Sequence, residues 1–153
     1  MIRIAFDTNI LVYLANTSAT AVDAVKTVKL LDMMERLEGQ ADLVVPVQAL
    51  GELNTVLRRN RVTSERSSLI LEQWIASSEN PPSTMSTLRI ALDLSRRHRL
   101  QFWDSLVVAA ASEAGCLLLL SEDMPNGFTV RGLTVVNPLI DKPHRALAWL
   151  FDG

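Results

Sequence analysis

The chain opens with a short apolar run that gives way abruptly to polar side chains. Residues 2–6 are mainly apolar, and Asp7, Thr8 and Asn9 follow directly. Apolar residues then recur with helical spacing over positions 10–15. This pattern predicts a buried strand whose carboxyl end presents Asp7, with Thr8 and Asn9 beginning a helix. In open α/β sheets the functional crevice lies just outside the carboxyl ends of the strands.

The rest of the chain alternates between helical periodicity and short apolar runs. Each short run is continuous, which is typical of a parallel strand covered on both faces. The pattern therefore predicts an α/β fold, with a parallel sheet flanked by helices on both faces, in a single domain over residues 1–153. Residues 142–153 form a C-terminal extension to which the pattern assigns no role. The predicted strands after the first are 42–46, 117–120 and 133–136, with a minor edge strand at 84–86, and the predicted helices are 21–37, 47–58, 64–76, 88–97, 103–114 and 143–151.

Four acids occupy positions from which they can reach the crevice at the carboxyl edge of the sheet. Two follow strands, one lies in the first turn of an apolar helix and one lies on the polar face of a helix: Asp7, Asp123, Asp104 and Glu52. Taken singly, each has an ordinary alternative as a helix cap, a loop acid or part of a solvated helix face. Glu122 competes with Asp123, and alternation with Ser121 favours Asp123. We expect the four acids to converge.

Three or four carboxylates in one crevice repel one another unless a divalent cation lies between them. Ligands that are all oxygen suit Mg²⁺ or Mn²⁺. The chain has two histidines and one cysteine, which excludes a Cys/His zinc site. A hard cation held by carboxylates is suited to phosphodiester hydrolysis. The catalytic and metal-binding residues are therefore predicted to be Asp7, Glu52, Asp104 and Asp123.

Overall charge excludes a globally basic nucleic-acid binder, since the net charge is −2. The bases are instead clustered, and Arg58, Arg59 and Arg61 follow Glu52 on or just beyond its predicted helix. They could contact an RNA backbone, although a solvated basic helix end explains them equally well. The single cysteine, Cys116, favours a reducing, cytoplasmic setting. We expect neither a signal peptide nor a membrane span, because no apolar run reaches about 18 residues.

Several short motifs together resemble the PIN-domain ribonucleases, and more narrowly the VapC toxins of bacterial VapBC toxin–antitoxin pairs. They occur in the same order over nearly the whole chain. The motifs are residues 4–13 (IAFDTNILVY), 47–53 (VQALGEL), 102–111 (FWDSLVVAAA), 119–124 (LLSEDM) and 132–138 (GLTVVNP).

The resemblance implies a PIN-like domain, a parallel sheet between helices, with the activity of an RNA endonuclease that depends on Mg²⁺ or Mn²⁺. It implies inhibition by a cognate antitoxin that fills the active-site groove, and commonly a homodimer. The positions of the metal-binding acids correspond to Asp7, Glu52, Asp104 and Asp123. Supporting polar positions correspond to Thr8, Asn9 and Ser121.

Two other classes of protein remain as alternatives. A phosphatase of the haloacid-dehalogenase type also places an Asp after its first strand, but it needs a second acid two residues later. Asn9 occupies that position here. A non-catalytic interaction module, either receiver-like or a degenerate nuclease, is the second alternative. A receiver needs an acid pair at the first strand and a lysine near the last, and neither feature is present; a degenerate nuclease should have lost acids.

Overall fold

A five-stranded sheet forms the middle layer of the molecule, and seven helices are distributed around it in the part of the chain that is described. The structure is a computed structural model and describes residues 1–18 and 20–149. The strands are β1 (Ile2–Phe6), β2 (Ala41–Val44), β3 (Leu118–Leu120), β4 (Thr129–Val130) and β5 (Leu133–Val136). The helices are α1 (Thr8–Leu14), α2 (Ala21–Leu37), α3 (Val47–Arg59), α4 (Ser64–Ser77), α5 (Met85–His98), α6 (Phe102–Glu113) and α7 (Arg145–Ala148).

The order of the strands across the sheet is β2-β1-β3-β5-β4. The first four of these are parallel to their neighbours, and β4 pairs antiparallel with β5. The chain moves from β1 to β2 on one side and then crosses to β3 on the other side of β1. The carboxyl ends of β1 and β3 therefore flank a topological switch point, where α/β proteins form their binding crevices.

Successive strand residues contribute to two separate cores, because side chains alternate between the faces of a sheet. Ile4 and Phe6 belong to one buried cluster, whereas Ala5 between them belongs to the other. The larger cluster packs under α1, α2, α3, α4 and α7, and the second packs under α5 and α6. Both faces are thus covered, which explains why the strands have continuous apolar runs.

The fold class predicted from the sequence is confirmed, with three local differences. The predicted edge strand at 84–86 is wrong: Thr84 caps α5 instead, in a capping box with Thr87. The short strand β4 at the sheet edge was not predicted, because two residues are too few to show the alternating pattern of a strand. The predicted helix 143–151 is represented by α7, and its last residues lie outside the described part of the chain.

The described part of the C-terminal extension contributes to the larger core. Leu147 of α7 is completely buried in that cluster, together with Val136 of β5. His144 caps α7 through its Nδ1 atom, which accepts from the backbone of Ala146 at 3.1 Å. Residues 144–148 therefore close one face of the sheet. Among the described residues, none of the helices has the length and apolar character needed to cross a bilayer.

Candidate active site

The four predicted acids line one cleft at the carboxyl edge of the sheet. The cleft has a volume of about 440 Å³, and its floor is formed where β1 ends and α1 begins. Its walls come from α3, α6 and the loop after β3, each of which contributes one acid. The lining residues include Asp7, Thr8, Asn9, Glu52, Asp104 and Asp123. The structure therefore brings together the acids that the sequence separates by up to 116 positions.

Asp7 is held at the floor of the cleft by hydrogen bonds to both of its carboxylate oxygens. The backbone N–H of Thr8 donates to Oδ1 at 2.8 Å, and the hydroxyl of Ser121 donates to Oδ2 at 2.8 Å. The side chain is only 4% exposed. Asp7 is therefore the N-cap of α1 and a member of the cleft at once, so its two interpretations are compatible.

Asn9 and Ser121 connect the end of β1 to the loop after β3. The Nδ2 group of Asn9 lies 3.2 Å from Asp7 Oδ2 and 3.1 Å from Asp123 Oδ2, so it donates to both acids. Its Oδ1 accepts from the backbone of Glu122 at 3.1 Å. The hydroxyl of Ser121 also accepts from the backbone N–H of Asp123 at 3.2 Å. These two side chains thus join Asp7 to the loop after β3 and hold Asp123 beside it.

Glu52 enters the cleft from α3 with both oxygens engaged by neutral donors. Thr8 Oγ1 donates to Oε2 at 2.8 Å, and Gln48 Nε2 donates to Oε1 at 2.7 Å. Gln48 and Glu52 are four residues apart, which places them on the same side of the helix. Neither donor carries a charge, so these contacts orient Glu52 without neutralising it.

Asp104 reaches the cleft from the first turn of α6 and is partly buried. Among the described residues, its carboxylate makes no hydrogen bond or ion pair, and Gln101 rather than Asp104 is the N-cap of the helix. Burial raises its pKa, and the nearby charges of Asp123 and Glu52 raise it further. An acid in this position lacks a compensating partner.

Burial also raises the pKa of Asp7, from 3.8 to about 6. The hydrogen bonds from Ser121 and Thr8 oppose this effect, while the charges of Asp104 and Glu52 add to it. Within residues 1–18 and 20–149, none of the four acids in the cleft has an ion-pair partner. The site is therefore a concentration of negative charge that a bound cation would relieve.

The donor set fits a hard divalent cation, but the ligands do not form a finished coordination sphere. All candidate ligands are carboxylate oxygens, which Mg²⁺ and Mn²⁺ prefer. In the part of the chain that is described, no three Asp, Glu, His or Cys side chains are arranged so as to hold a metal ion. The acids line the cleft without forming such a group, so cation binding would require them to move closer together.

Glu122 is held away from the cleft by a pair of partners from two helices. Lys26 Nζ of α2 lies 2.8 Å from its Oε2 atom, and the Tyr13 hydroxyl of α1 donates to Oε1 at 2.6 Å. Lys26 also donates to the Tyr13 oxygen at 3.1 Å. The Tyr13–Lys26–Glu122 triad leaves Asp123 as the acid of this loop that lines the cleft, as alternation with Ser121 predicts.

We expect Lys26 and Glu122 to be energetically coupled. A double-mutant cycle with Lys26→Met and Glu122→Gln, measured by urea denaturation, should give a coupling free energy of about 1 kcal/mol. This value is at the upper end of the range for exposed ion pairs, because both side chains are partly buried. The matched control is the Lys29–Asp141 pair, whose Nζ–Oδ1 distance is 3.5 Å and whose Asp is fully exposed. A coupling no larger than that of the control would contradict the structural role of the triad.

The three predicted arginine contacts are not equivalent. Arg59 and Arg61 line a second cavity of about 520 Å³ that also has Val12, Tyr13 and Asp23 in its wall. Arg58 is turned away, and its guanidinium donates to the carbonyl of Val62 at 3.0 Å. All three side chains are exposed. The structure thus favours two of the three predicted arginines as neighbours of the cleft.

Sequence reasoning missed three features of this region. Tyr13 and Lys26 belong to the triad, and Asp23 lines both cavities. No local pattern marks these residues, because the contacts join α1, α2 and the loop after β3. Two tryptophans lie in different environments. Trp103, beside Asp104, is 58% exposed, whereas Trp74 packs against Phe6 in the larger core.

Comparison with known proteins is consistent with this fold. Residues 4–124 match the family model of the PIN domain. The structure is similar to VapBC2 from Rickettsia felis bound to a DNA fragment from its promoter, with a TM-score of 0.64, 15% sequence identity and coverage of 89% of this chain and 98% of that chain.

A second similar structure is Mycobacterium tuberculosis VapC20, a sarcin–ricin loop cleaving toxin. Its TM-score is 0.59 at 19% identity, with coverage of 78% of this chain and 91% of that chain. At such low identity both likenesses concern the fold. No curated protein sequence gives a significant match. The family model spans most of the chain, from β1 to the loop after β3, and the chain belongs to the PIN-domain family.

Proposed function

We propose that this protein is an endoribonuclease that hydrolyses phosphodiester bonds with Mg²⁺ or Mn²⁺. The observation that carries the proposal is the cleft at the switch point of the sheet, where four acids lack a cationic partner among the described residues. Membership of the PIN-domain family supports the same class of activity. The acids by themselves would repel a phosphate, so cation loading precedes substrate binding in this proposal.

The roles of the acids follow from their burial and contacts. Asp7 and Asp104 would hold the principal cation, since burial raises the pKa of both carboxyl groups and a cation would offset that cost. Glu52 and Asp123 would complete the site or orient the attacking water. Thr8, Asn9 and Ser121 position the acids through the hydrogen bonds already described. A bound divalent cation would polarise the phosphate and stabilise the departing oxygen.

We further propose that the nuclease acts as the toxin of a toxin–antitoxin pair in the cytoplasm. The fold is similar to that of VapBC2 and of VapC20, the latter described as a toxin that cleaves the sarcin–ricin loop. A cognate antitoxin would then fill the acidic cleft, and a homodimer is the expected assembly. Co-purification of a small co-expressed protein that stops cleavage would support this role. A neighbouring gene product that neither binds nor inhibits the chain would argue against it.

Cation removal tests the enzymatic proposal directly. The purified protein should cut single-stranded RNA in Mg²⁺ or Mn²⁺, stop when a chelator is added and resume when the cation is restored. Binding should also raise the unfolding free energy, by about 2.7 kcal/mol when the free cation is at 100 times its dissociation constant. Cleavage that continues in chelator would refute the mechanism. Absence of cation binding by calorimetry would favour a non-catalytic module instead.

A phosphatase of the haloacid-dehalogenase type has little support in this cleft. The position that would carry its second acid is occupied by Asn9, whose amide donates to both Asp7 and Asp123. Trapping of an acid-labile phosphate on Asp7 would revive that alternative.

A further inference from the structure

The second cavity adjoins the acidic cleft. It lies at the C-terminal end of α1, against Asn16 and the end of α3, whereas the cleft lies at the N-terminal end of α1. Val12, Tyr13 and Asp23 line both cavities. A flexible ligand that enters the cleft can therefore extend along α1 into the second cavity without leaving the surface.

The charges of the two cavities differ in sign. The charged residues that line the cleft are all acids, whereas the second cavity is lined by two bases, Arg59 and Arg61, and one acid, Asp23, with Asn60 between the arginines in the chain. Within the described part of the chain, neither guanidinium has an acidic partner or a side-chain hydrogen bond. Two unpaired guanidiniums at the edge of a cavity are suited to hold a phosphate.

We propose that the cavity bounded by Arg59, Asn60 and Arg61 is a subsite for single-stranded RNA, in which the two arginines hold the backbone of the strand on one side of the cut bond. The inference rests on the proposed ribonuclease function. Helix α1 has seven residues, so its ends lie about 10 Å apart. This length exceeds the reach of one nucleotide, so the subsite holds a phosphate more than one nucleotide from the bond that is cut.

Asp23 determines which side of the strand faces α2. Its carboxylate accepts from the Ser18 hydroxyl at 2.6 Å, and this hydrogen bond lowers its pKa, so Asp23 is ionised at neutral pH. An ionised carboxylate repels phosphate and can only accept hydrogen bonds. The backbone of the strand therefore lies toward Arg59 and Arg61, with hydroxyl and amino groups of the sugar and base toward Asp23. The ribose 2′-hydroxyl distinguishes RNA from DNA.

The backbone of Arg61 allows an informative substitution. Its φ is +67°, in the left-handed region that favours glycine. Arg61→Gly therefore removes the guanidinium while relieving backbone strain, so the variant should fold at least as well as the parent. Arg131 has the same conformation, with φ +52°, in the turn between β4 and β5 at the opposite end of the sheet. Arg131→Gly is the matched control.

The test measures binding of a fluorescent single-stranded RNA of about 12 nucleotides to the Asp7→Asn protein in Mg²⁺, by anisotropy at several salt concentrations. Arg61→Gly combined with Arg59→Gln should weaken binding about 10-fold at low salt and reduce the slope of log Kd against log salt by about 1. Arg131→Gly should leave both quantities unchanged. If the double substitution weakened binding no more than Arg131→Gly does, or did not weaken it at all, the subsite would be refuted.

Cleavage assays on the otherwise native protein separate this inference from the proposed function. The double substitution should raise KM about 10-fold with kcat within about 3-fold, and the difference should vanish for RNA that extends only one nucleotide beyond the cut on either side. Full cleavage with unchanged KM would refute the subsite alone. RNA binding that depends on the arginines in a protein that cuts no RNA would refute the ribonuclease function and retain the subsite.

A DNA oligonucleotide of the same sequence tests the role of Asp23. The RNA should bind about 5-fold more tightly than the DNA to the protein with Asp23, and equally to an Asp23→Ala variant, which has no side-chain acceptor. A preference for RNA that survives in Asp23→Ala would overturn the orientation of the strand proposed here.

Discussion

Asp7→Asn is expected to lower the rate of RNA cleavage by more than about 100-fold. Replacing residues that merely orient a metal ligand typically costs 10- to 100-fold in affinity or activity, so the loss of a direct ligand should exceed that range. Asparagine keeps the shape of the side chain and its acceptor for the Thr8 N–H, so α1 should remain capped. The measurement is single-turnover cleavage of a labelled single-stranded RNA in saturating Mg²⁺.

Asp141→Asn is a suitable control for this change. Asp141 is an exposed acid that pairs only loosely with Lys29, and it lies outside the cleft. The same chemical substitution there should leave cleavage within about 2-fold of the parent rate. If Asp7→Asn cut RNA as fast as Asp141→Asn, the proposed mechanism would be wrong. Circular dichroism of both variants distinguishes a lost ligand from a lost fold.

The same substitution should make the metal-free protein more stable at neutral pH. The pKa of Asp7 rises from 3.8 in the unfolded chain to about 6 in the folded protein, chiefly through burial. The folded state therefore binds the proton more tightly, so the contribution of Asp7 to the unfolding free energy is fully retained below pH 3.8 and is lost as the pH rises through about 6. At about 1.4 kcal/mol per pKa unit, the loss is roughly 3 kcal/mol.

Urea denaturation from pH 4 to pH 7.5 in chelator measures this effect. The difference in unfolding free energy between Asp7→Asn and the parent should change by roughly 2 kcal/mol across the interval, in favour of the variant, because part of the loss has already occurred at pH 4. Subtracting the two curves largely removes the contributions of other acids, and the changed hydrogen bonds to Ser121 and Asn9 add only a constant offset. If the difference did not change with pH, or if it favoured the parent as the pH rises, the pKa of Asp7 would not be raised in the folded protein.

These two expectations describe one trade-off. A buried carboxylate with a raised pKa destabilises the empty protein, and the same carboxylate becomes useful when a cation shares the cleft. Saturating Mg²⁺ should therefore remove the advantage of Asp7→Asn, because the cation stabilises only the protein that binds it.

The sequence by itself determined the layers of the fold and the edge at which the acids lie. Continuous apolar runs predict buried parallel strands, and the abrupt change at Asp7 marks where the first strand ends. The helices were predictable because their apolar residues recur with a helical period, as in α3. Positions relative to strand ends were therefore enough to nominate Asp7 and Asp123, since parallel strands end at the same edge.

Tertiary structure alone decided which side chains face the cleft and which are engaged elsewhere. Glu122 and Asp123 are adjacent in the chain, and they are distinguished by Lys26 and Tyr13, which come from two other helices. Arg58 and Arg59 are adjacent as well, yet only Arg59 lines the second cavity. The physical reason is that a local sequence pattern shows only which face of its own helix or strand a residue occupies. The partner that forms an ion pair or hydrogen bond with that residue comes from another element packed against it.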